Sequence, residues 1–494
     1  MKGGTPMRIV VLAIGLLLAA LGASAEERFD VVIQGGQVVD PETGLNAIRN
    51  VGVRADRIAS VSIGPLTGSR VLDARGLVVA PGFIDLHQHQ QDAPSYRLKA
   101  LDGVTTALEL EMGVPNIDRF VAVRRGRTLI NFGATAGHES ARVAAWDLPM
   151  PPSPYGPEAT ISDPPEGPVS TKAATPEQLR CILARLRSEL DAGALGIGVG
   201  LEYTPGATRE EVIEVFRLAA EYRRPVYIHI RNAGRIEPGS SIESVEEVIG
   251  AAAITGAALH IVHINSMCMR DTPTCLEMIA GARARGLDVT TEAYPYGAFM
   301  TEINSTVFLP GWRERYGMDY GDVVLPDTGE HLTQRRFDEL HASPEPIHIL
   351  GFLNPDSVVD AILTHPLVMV ASDGEWKHPR NAGSFARVYS RYVRQQGALS
   401  LLDAVRKMSL MPAQRLEGAT AAGHRKGRLQ VGADADIVVF DPATFEDKAN
   451  YVHANVPSVG ARYVLVAGTL VVDGGRIVEG VAPGRPVLAD ARGP

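Results

Sequence analysis

From about Gly82 to Leu416 the chain alternates short apolar runs with amphipathic helical patterns. Strand candidates fall at residues 106–111, 129–133, 195–200, 226–229, 260–264, 288–292 and 368–372. Between several of them lie helical repeats at 176–192, 209–222, 244–255 and 275–286. A strand followed by a helix can bury the helix's apolar stripe against a parallel sheet. Repeated this often, the pattern predicts an α/β chain whose middle is a (β/α)8 TIM barrel.

The flanks have another texture. Residues 28–79 are short β-rich runs punctuated by Gly35-Gly36 and Asp40-Pro41, and similar runs return at 435–441 and 463–474. Two β-rich ends predict one small β-sandwich domain built from both chain ends. The expected plan is a sandwich part at 26–81, the barrel at 82–416 and the second sandwich part at 417–494. A length of 494 residues with 45% apolar side chains suits that plan. Two long segments interrupt the barrel pattern. Residues 148–174 are rich in Pro, Ser and Gly, and 301–346 are irregular with aromatic residues. Such loops are expected as lids over a barrel mouth.

The N-terminus reads as a signal peptide over residues 1–25. Lys2 and Arg8 flank the start of an apolar run from Ile9 to Leu21, and Ala23-Ser24-Ala25 follows. This predicts a periplasmic or secreted protein with no membrane association after cleavage. A net charge of -9 and the lack of any Lys/Arg-rich tract argue against nucleic acid as a partner. A small-molecule substrate is expected, and nothing in the chain signals an oligomeric state. Of three cysteines, Cys268 and Cys275 share one polar stretch and would be able to pair in an oxidising compartment, while Cys181 falls in a helical apolar pattern.

Catalytic side chains of a barrel sit at the C-terminal ends of its strands. The apolar run Val78–Leu86 ends in His87-Gln88-His89, and alternation along a strand points the two imidazoles the same way. Glu109 and Glu111 end the next strand candidate, His138 follows the third, and His229, His263 and Asp373 end later ones. Imidazoles and carboxylates without a thiolate suit Zn²⁺ or a similar divalent ion. Two ions would need a shared ligand, and a carboxylate has two oxygens to share. Glu111 is favoured over Glu109 because it lies nearer the strand end. Asp373 would then act as general acid/base in metal-assisted amide hydrolysis.

The stretch Pro81-Gly82-Phe83-Ile84-Asp85-Leu86-His87-Gln88-His89 resembles the first-strand motif of the amidohydrolase superfamily. Gly103-Val104-Thr105-Thr106, Gly137-His138 with Arg142, Gly200-Leu201-Glu202-Tyr203, Glu292-Ala293-Tyr294-Pro295-Tyr296 and Ser372-Asp373-Gly374 narrow the resemblance to the N-acyl-D-amino-acid deacylases (D-aminoacylases). His378-Pro379-Arg380 and 432–441 add to it. The resemblance implies that His87, His89 and Asp373 bind one metal, and His229 and His263 the other. It implies that Tyr294 lies near the scissile carbonyl and Arg380 near a substrate carboxylate. His138 is a candidate substrate contact or supporting residue. The chain departs from the pattern where 107–113 has no Cys and 196–200 has no Lys, so a glutamate must bridge or one metal binds firmly. Asn265 stands where a Lys is expected, and Met300 where a Ser is expected; both positions look like substrate contacts.

The expected activity is hydrolysis of N-acyl amino acids, including D-amino acids. An alternative keeps fold and metal but acts on a cyclic amide, dipeptide or lactone. A third reading, a non-catalytic metal-binding protein, is opposed by the intact Asp373.

Overall fold

The computed structural model describes residues 28–150, 153 and 167–491, together with Met1 and Gly3. The signal-peptide reading, and most of the 148–174 loop, lie outside the described residues. Eight parallel strands form the central sheet. In chain order they are β1 (Phe83–Asp85), β2 (Val104–Val114), β3 (Asn131–Gly137), β4 (Ile197–Gly200), β5 (Val226–His229), β6 (Leu259–Ile261), β7 (Val289–Ala293) and β8 (Val368–Val370). Each pairs with its sequence neighbour, and a parallel bridge between Gln88 and Gly374 joins the two ends into a nearly closed barrel. The predicted barrel is therefore present.

Strand burial follows from the two-sided covering of a parallel barrel. All of β2 and β3 is buried on both faces, polar residues such as Thr106, Glu109, Glu111 and Asn131 included. Helices such as Pro176–Asp191, Arg209–Tyr222 and Ser241–Thr255 pack outside. Their N-caps are legible: Thr175, Thr208 and Ser240 each accept a bond from the backbone N–H three residues on. Inside the barrel, Ile84, Leu108, Leu195, Tyr227, Val262 and Met369 form a compact apolar plug.

The terminal strands form one continuous nine-stranded sheet that unites residues 28–81 with 437–477. Strand Val78–Pro81 pairs with both Arg28–Asp40 and Ile437–Phe440, so the chain passes directly from this sheet into β1. The last described segment leaves the sheet again. Its backbone at Arg485 and Val487 bonds to Phe132 at the start of β3, and Val487 joins the barrel plug.

The 301–346 region is more ordered than an irregular loop. A four-stranded antiparallel sheet forms from Ala298–Glu302, His348–Phe352, Val323–Leu325 and Glu330–His331. Phe308, Trp312, Tyr320 and Phe337 stack beneath it as a separate small core. The expectation of a loop failed because the pairing is non-local: Glu302 lies opposite His348 across the whole insertion.

Candidate metal centre

Six buried side chains converge beyond the C-terminal ends of β1, β2, β5, β6 and β8. Glu111 is at the middle. Its Oε2 lies 3.0 Å from His87 Nε2 and 3.1 Å from His89 Nε2. Asp373 Oδ1 faces the same two nitrogens at 3.4 and 3.3 Å. The other oxygen, Oε1, lies 2.9 Å from His229 Nδ1 and 2.7 Å from His263 Nε2. One carboxylate thus divides two donor groups, His87–His89–Glu111–Asp373 and Glu111–His229–His263.

Facing nitrogens 3.2 Å apart on His87 and His89, with two carboxylate oxygens against them, suit a shared cation. The electrostatics agree. Burial alone would raise the Glu111 carboxyl, but the imidazoles of His87, His263 and His229 outweigh it and hold it well below the usual range. Burial would lower His87, His89 and His229, yet the surrounding carboxylates raise all three, His229 to about 9. His263 is lowered, its burial outweighing Glu111. The pocket demands positive charge, which a divalent ion would supply in place of protons.

The remaining ring nitrogens are also held. His87 Nδ1 lies 2.7 Å from Glu292 Oε1, His89 Nδ1 2.8 Å from Glu109 Oε2, and His229 Nε2 2.8 Å from Glu202 Oε2. Such carboxylates fix ring orientation and strengthen the imidazole as a donor. Glu109 is therefore turned to the far side of His89, where its Oε1 also accepts the Met112 N–H. Glu109 and Glu111 share a strand face by parity, but a register shift in the β2–β3 pairing lies between Glu109 and Val114.

The backbone is bent to present these groups. His263 has φ 25° and Asp373 φ 53°, a left-handed region that costs a non-glycine residue about 1–3 kcal/mol. A Cβ at Gly374, beside Asp373, would fall 2.1 Å from the buried Gln88 Oε1, so any larger residue there would have to displace the Gln88 amide. Lys99, fully buried, donates to Asp85 Oδ2 and Ser372 Oγ at 2.8 and 2.6 Å. Ser372 N–H donates in turn to Asp85 Oδ1, which locks the residue before Asp373 to β1.

A model of the amidohydrolase family matches residues 70–149 and 250–472. The chain is 30% identical to the N-acyl-D-glutamate deacylase of Alcaligenes xylosoxydans xylosoxydans, over 94% of this chain and 98% of that one. The chain belongs to the amidohydrolase family. A solved N-acyl-D-glutamate deacylase from Bordetella bronchiseptica, complexed with zinc and a phosphonate inhibitor, superposes with a TM-score of 0.76 at 29% identity, covering 94% of this chain and all of that one. A D-aminoacylase structure concerned with its binuclear metal centre gives 0.77 at 25%, with the same coverage. This amidohydrolase is accordingly a metal-dependent hydrolase of carbon–nitrogen amide bonds.

The donors of this amidohydrolase open onto a cavity of about 710 Å³, counting its open mouth. The insertion supplies much of its wall through Phe299, Met300, Thr301, Glu302 and Tyr316. The remaining predicted residues are placed differently. Arg380 is 1% exposed; Nη1 lies 2.7 Å from Asp373 Oδ2 and Nη2 donates to Glu375 Oε1. Its guanidinium sits over the Tyr294 ring, which is buried beside it. Asn265 is fully buried, its side chain directed to the Tyr294 carbonyl. None of these three lines the cavity, whereas Met300 does. His138 is not part of the cavity lining either. Its Nε2 bonds Glu211 Oε1 at 2.8 Å, and Arg142 grips the same carboxylate while bonding the carbonyls of Val169 and Lys172. That network anchors the segment following the 148–166 stretch, so a substrate-contact role for His138 has no geometric support. Glu202, Glu292, Glu375 and Lys99 carried no assigned role in the sequence reading. Glu202 and Glu292 had a visible signal, as carboxylates at or just past strand ends.

Proposed function

We propose that this amidohydrolase removes the acyl group from N-acylated amino acids, and that the hydrolysis takes place at the Glu111-centred donor array. The observation that carries the reading is one carboxylate dividing two imidazole groups beside Asp373, with His89, Glu111, His229, His263 and Asp373 opening onto one cavity and His87 buried behind them. The named substrates of the relatives, N-acyl-D-glutamate and other N-acyl-D-amino acids, point to the D-series. His87, His89, Glu111 and Asp373 would hold one Zn²⁺ and Glu111, His229 and His263 a second. Divalent ions held there would polarise the scissile carbonyl and acidify a nearby water.

The chain's own residues do the rest. Burial would raise Asp373, but the Arg380 guanidinium and then His87 and His89 hold it well below the usual carboxylate range, so it is ionised and able to accept a proton. It takes one proton from the attacking water. The water oxygen adds to the carbonyl carbon, the C–N bond breaks, and Asp373 delivers the proton to the departing nitrogen. The products are a carboxylic acid and a free amine. Arg380 fixes the second oxygen of Asp373, so Oδ1 alone faces the donors. Tyr294 stacks against Arg380 and supports it.

Export to an oxidising compartment is part of the proposal. It is supported by the N-terminal sequence and by Cys268 bonded to Cys275 within the segment that follows His263. The test is a panel of N-acetyl D- and L-amino acids, cyclic imides and dipeptides, given to chelator-stripped and zinc-restored protein. Release of amine from N-acetyl amino acids only after restoration is expected. Exclusive ring opening of the imides would overturn the linear-amide assignment.

A further inference from the structure

Three carboxylates hold the outer nitrogens of the donor imidazoles, and one of them is itself held from outside the barrel. Glu202 follows β4 and lines the cavity with a mostly buried side chain. Its Oε2 faces His229 Nε2 at 2.8 Å, and its Oε1 accepts the Tyr316 hydroxyl. Its backbone carbonyl accepts a bond from Thr306 Oγ1 at 2.7 Å. Tyr316 and Thr306 both belong to the insertion after β7, more than a hundred residues on in the chain.

The insertion's own packing fixes Tyr316, which ends the short helix Trp312–Tyr316. Trp312 is buried among Phe308 and Phe337, and Tyr316, one turn on, packs against the same aromatic core. The Arg315 guanidinium donates to the carbonyls of Val307, Leu309 and Pro310, which closes the turn ahead of the helix. The helix is pressed against the loop that follows His229. Gly234 in that loop has φ 93°, and a Cβ there would fall 1.9 Å from the Arg315 carbonyl oxygen. Tyr203, beside Glu202, packs on the insertion core as well, and its ring centroid lies 4.9 Å from that of His229. His229 is thus bounded by two neighbouring residues that both lean on the insertion.

An ionised carboxylate only accepts hydrogen bonds, so Glu202 places the His229 ring proton on Nε2 and leaves the Nδ1 lone pair facing Glu111. That is the tautomer a metal donor needs. With Tyr316 on its other oxygen, Glu202 cannot turn away from His229 without breaking a second bond. We propose, resting on the metal-centre reading above, that Tyr316 is a positioning residue for that centre: through Glu202 its hydroxyl fixes His229 as a donor, which makes the insertion part of the metal site as well as a wall of the cavity. His87 and His89 rest on Glu292 and Glu109 instead, so the effect falls on one ion of the two.

The experiment measures zinc affinity in wild type, Tyr316→Phe, Glu202→Ala and the double variant by competition with a chromogenic chelator. Anomalous scattering at the zinc edge assigns each equivalent to its imidazoles. Phenylalanine keeps the ring in the aromatic core and removes only the hydroxyl. Zinc on His229 and His263 is expected to weaken by about 3- to 10-fold in Tyr316→Phe and by roughly 10- to 100-fold in Glu202→Ala. Zinc on His87 and His89 is expected to stay within about twofold in both. In the Glu202→Ala background, Tyr316→Phe is expected to change affinity by less than about twofold, because the hydroxyl then has no route to His229. Unchanged affinity in Tyr316→Phe, equal weakening of both ions, or full additivity in the double variant would each overturn the proposal. A wild type that holds no zinc on His229 and His263 would overturn the metal-centre reading and the inference with it. The readout is metal binding, so a failure of the deacylase assignment shows in the substrate panel alone. Comparison of wild type with Tyr316→Phe decides the proposal even if Glu202→Ala fails to fold.

Discussion

Replacing Glu111 by Gln separates the two donor groups more cleanly than any other substitution. The carboxylate offers Oε2 to His87 and His89 at 3.0 and 3.1 Å, and Oε1 to His229 and His263 at 2.9 and 2.7 Å. A glutamine has one oxygen for these two tasks, and its amide N–H₂ cannot ligate a metal. One group must lose its anionic donor. His229 and His263 depend on Glu111 as one of three donors, whereas His87 and His89 retain Asp373 among four. The His229–His263 ion should therefore be lost first. Removing an outer partner of a ligand costs 10- to 100-fold in metal affinity. Loss of a direct, charged ligand should cost at least ~100-fold, or about 2.7 kcal/mol. Equilibrium dialysis against buffered zinc with metal analysis reads this directly, as a fall from two bound equivalents to one. Two equivalents held with affinity within about tenfold of wild type would refute the bridge, and a fall seen only in Glu109→Gln would reassign it.

Two further expectations concern the frame rather than the donors. Lys99→Met leaves Asp85 buried without its cation and should cost about 3–5 kcal/mol by denaturant unfolding, and a loss below about 1 kcal/mol would refute the strand-locking role. Asp102 accepts bonds from the Phe385 and Ala386 N–H groups and the Ser458 hydroxyl, but burial outweighs them and pushes its carboxyl up to about 7. Because the folded value lies above the unfolded one, this contribution is fully present below about pH 4 and is lost as pH rises through about 7. Asp102→Asn should thus destabilise by roughly 2–3 kcal/mol more at pH 5 than at pH 8. An equal cost at both pH values would show that the carboxyl titrates normally.

The barrel was legible because several strands, such as Val226–His229 and Val368–Val370, are short apolar runs that alternate with amphipathic helices. The donors were legible because polar residues ending such runs stand out, as His229 does after Val226-Tyr227-Ile228. Parity could not separate Glu109 from Glu111, since both share a strand face; their distinction comes from the bend of β2 and from which side of His89 each meets. Glu292 reaches His87 across the barrel, a pairing no local pattern encodes. Arg380 read as a substrate group from its motif, but burial beside Asp373 and Glu375 gives it a structural charge to balance. The insertion was hardest to read. Its strands are short and pair over long separations, yet they build much of the cavity wall.

The central claim is that Asp373 moves protons at a metal-loaded centre, and its sharpest test is Asp373→Asn. Zinc content and kcat for an N-acetyl amino acid should be measured on one sample, at saturating metal. Three of the four donors in its group remain, so the account predicts retained zinc with kcat lower by about 10²- to 10⁴-fold. A variant with full zinc and near-wild-type kcat would contradict it.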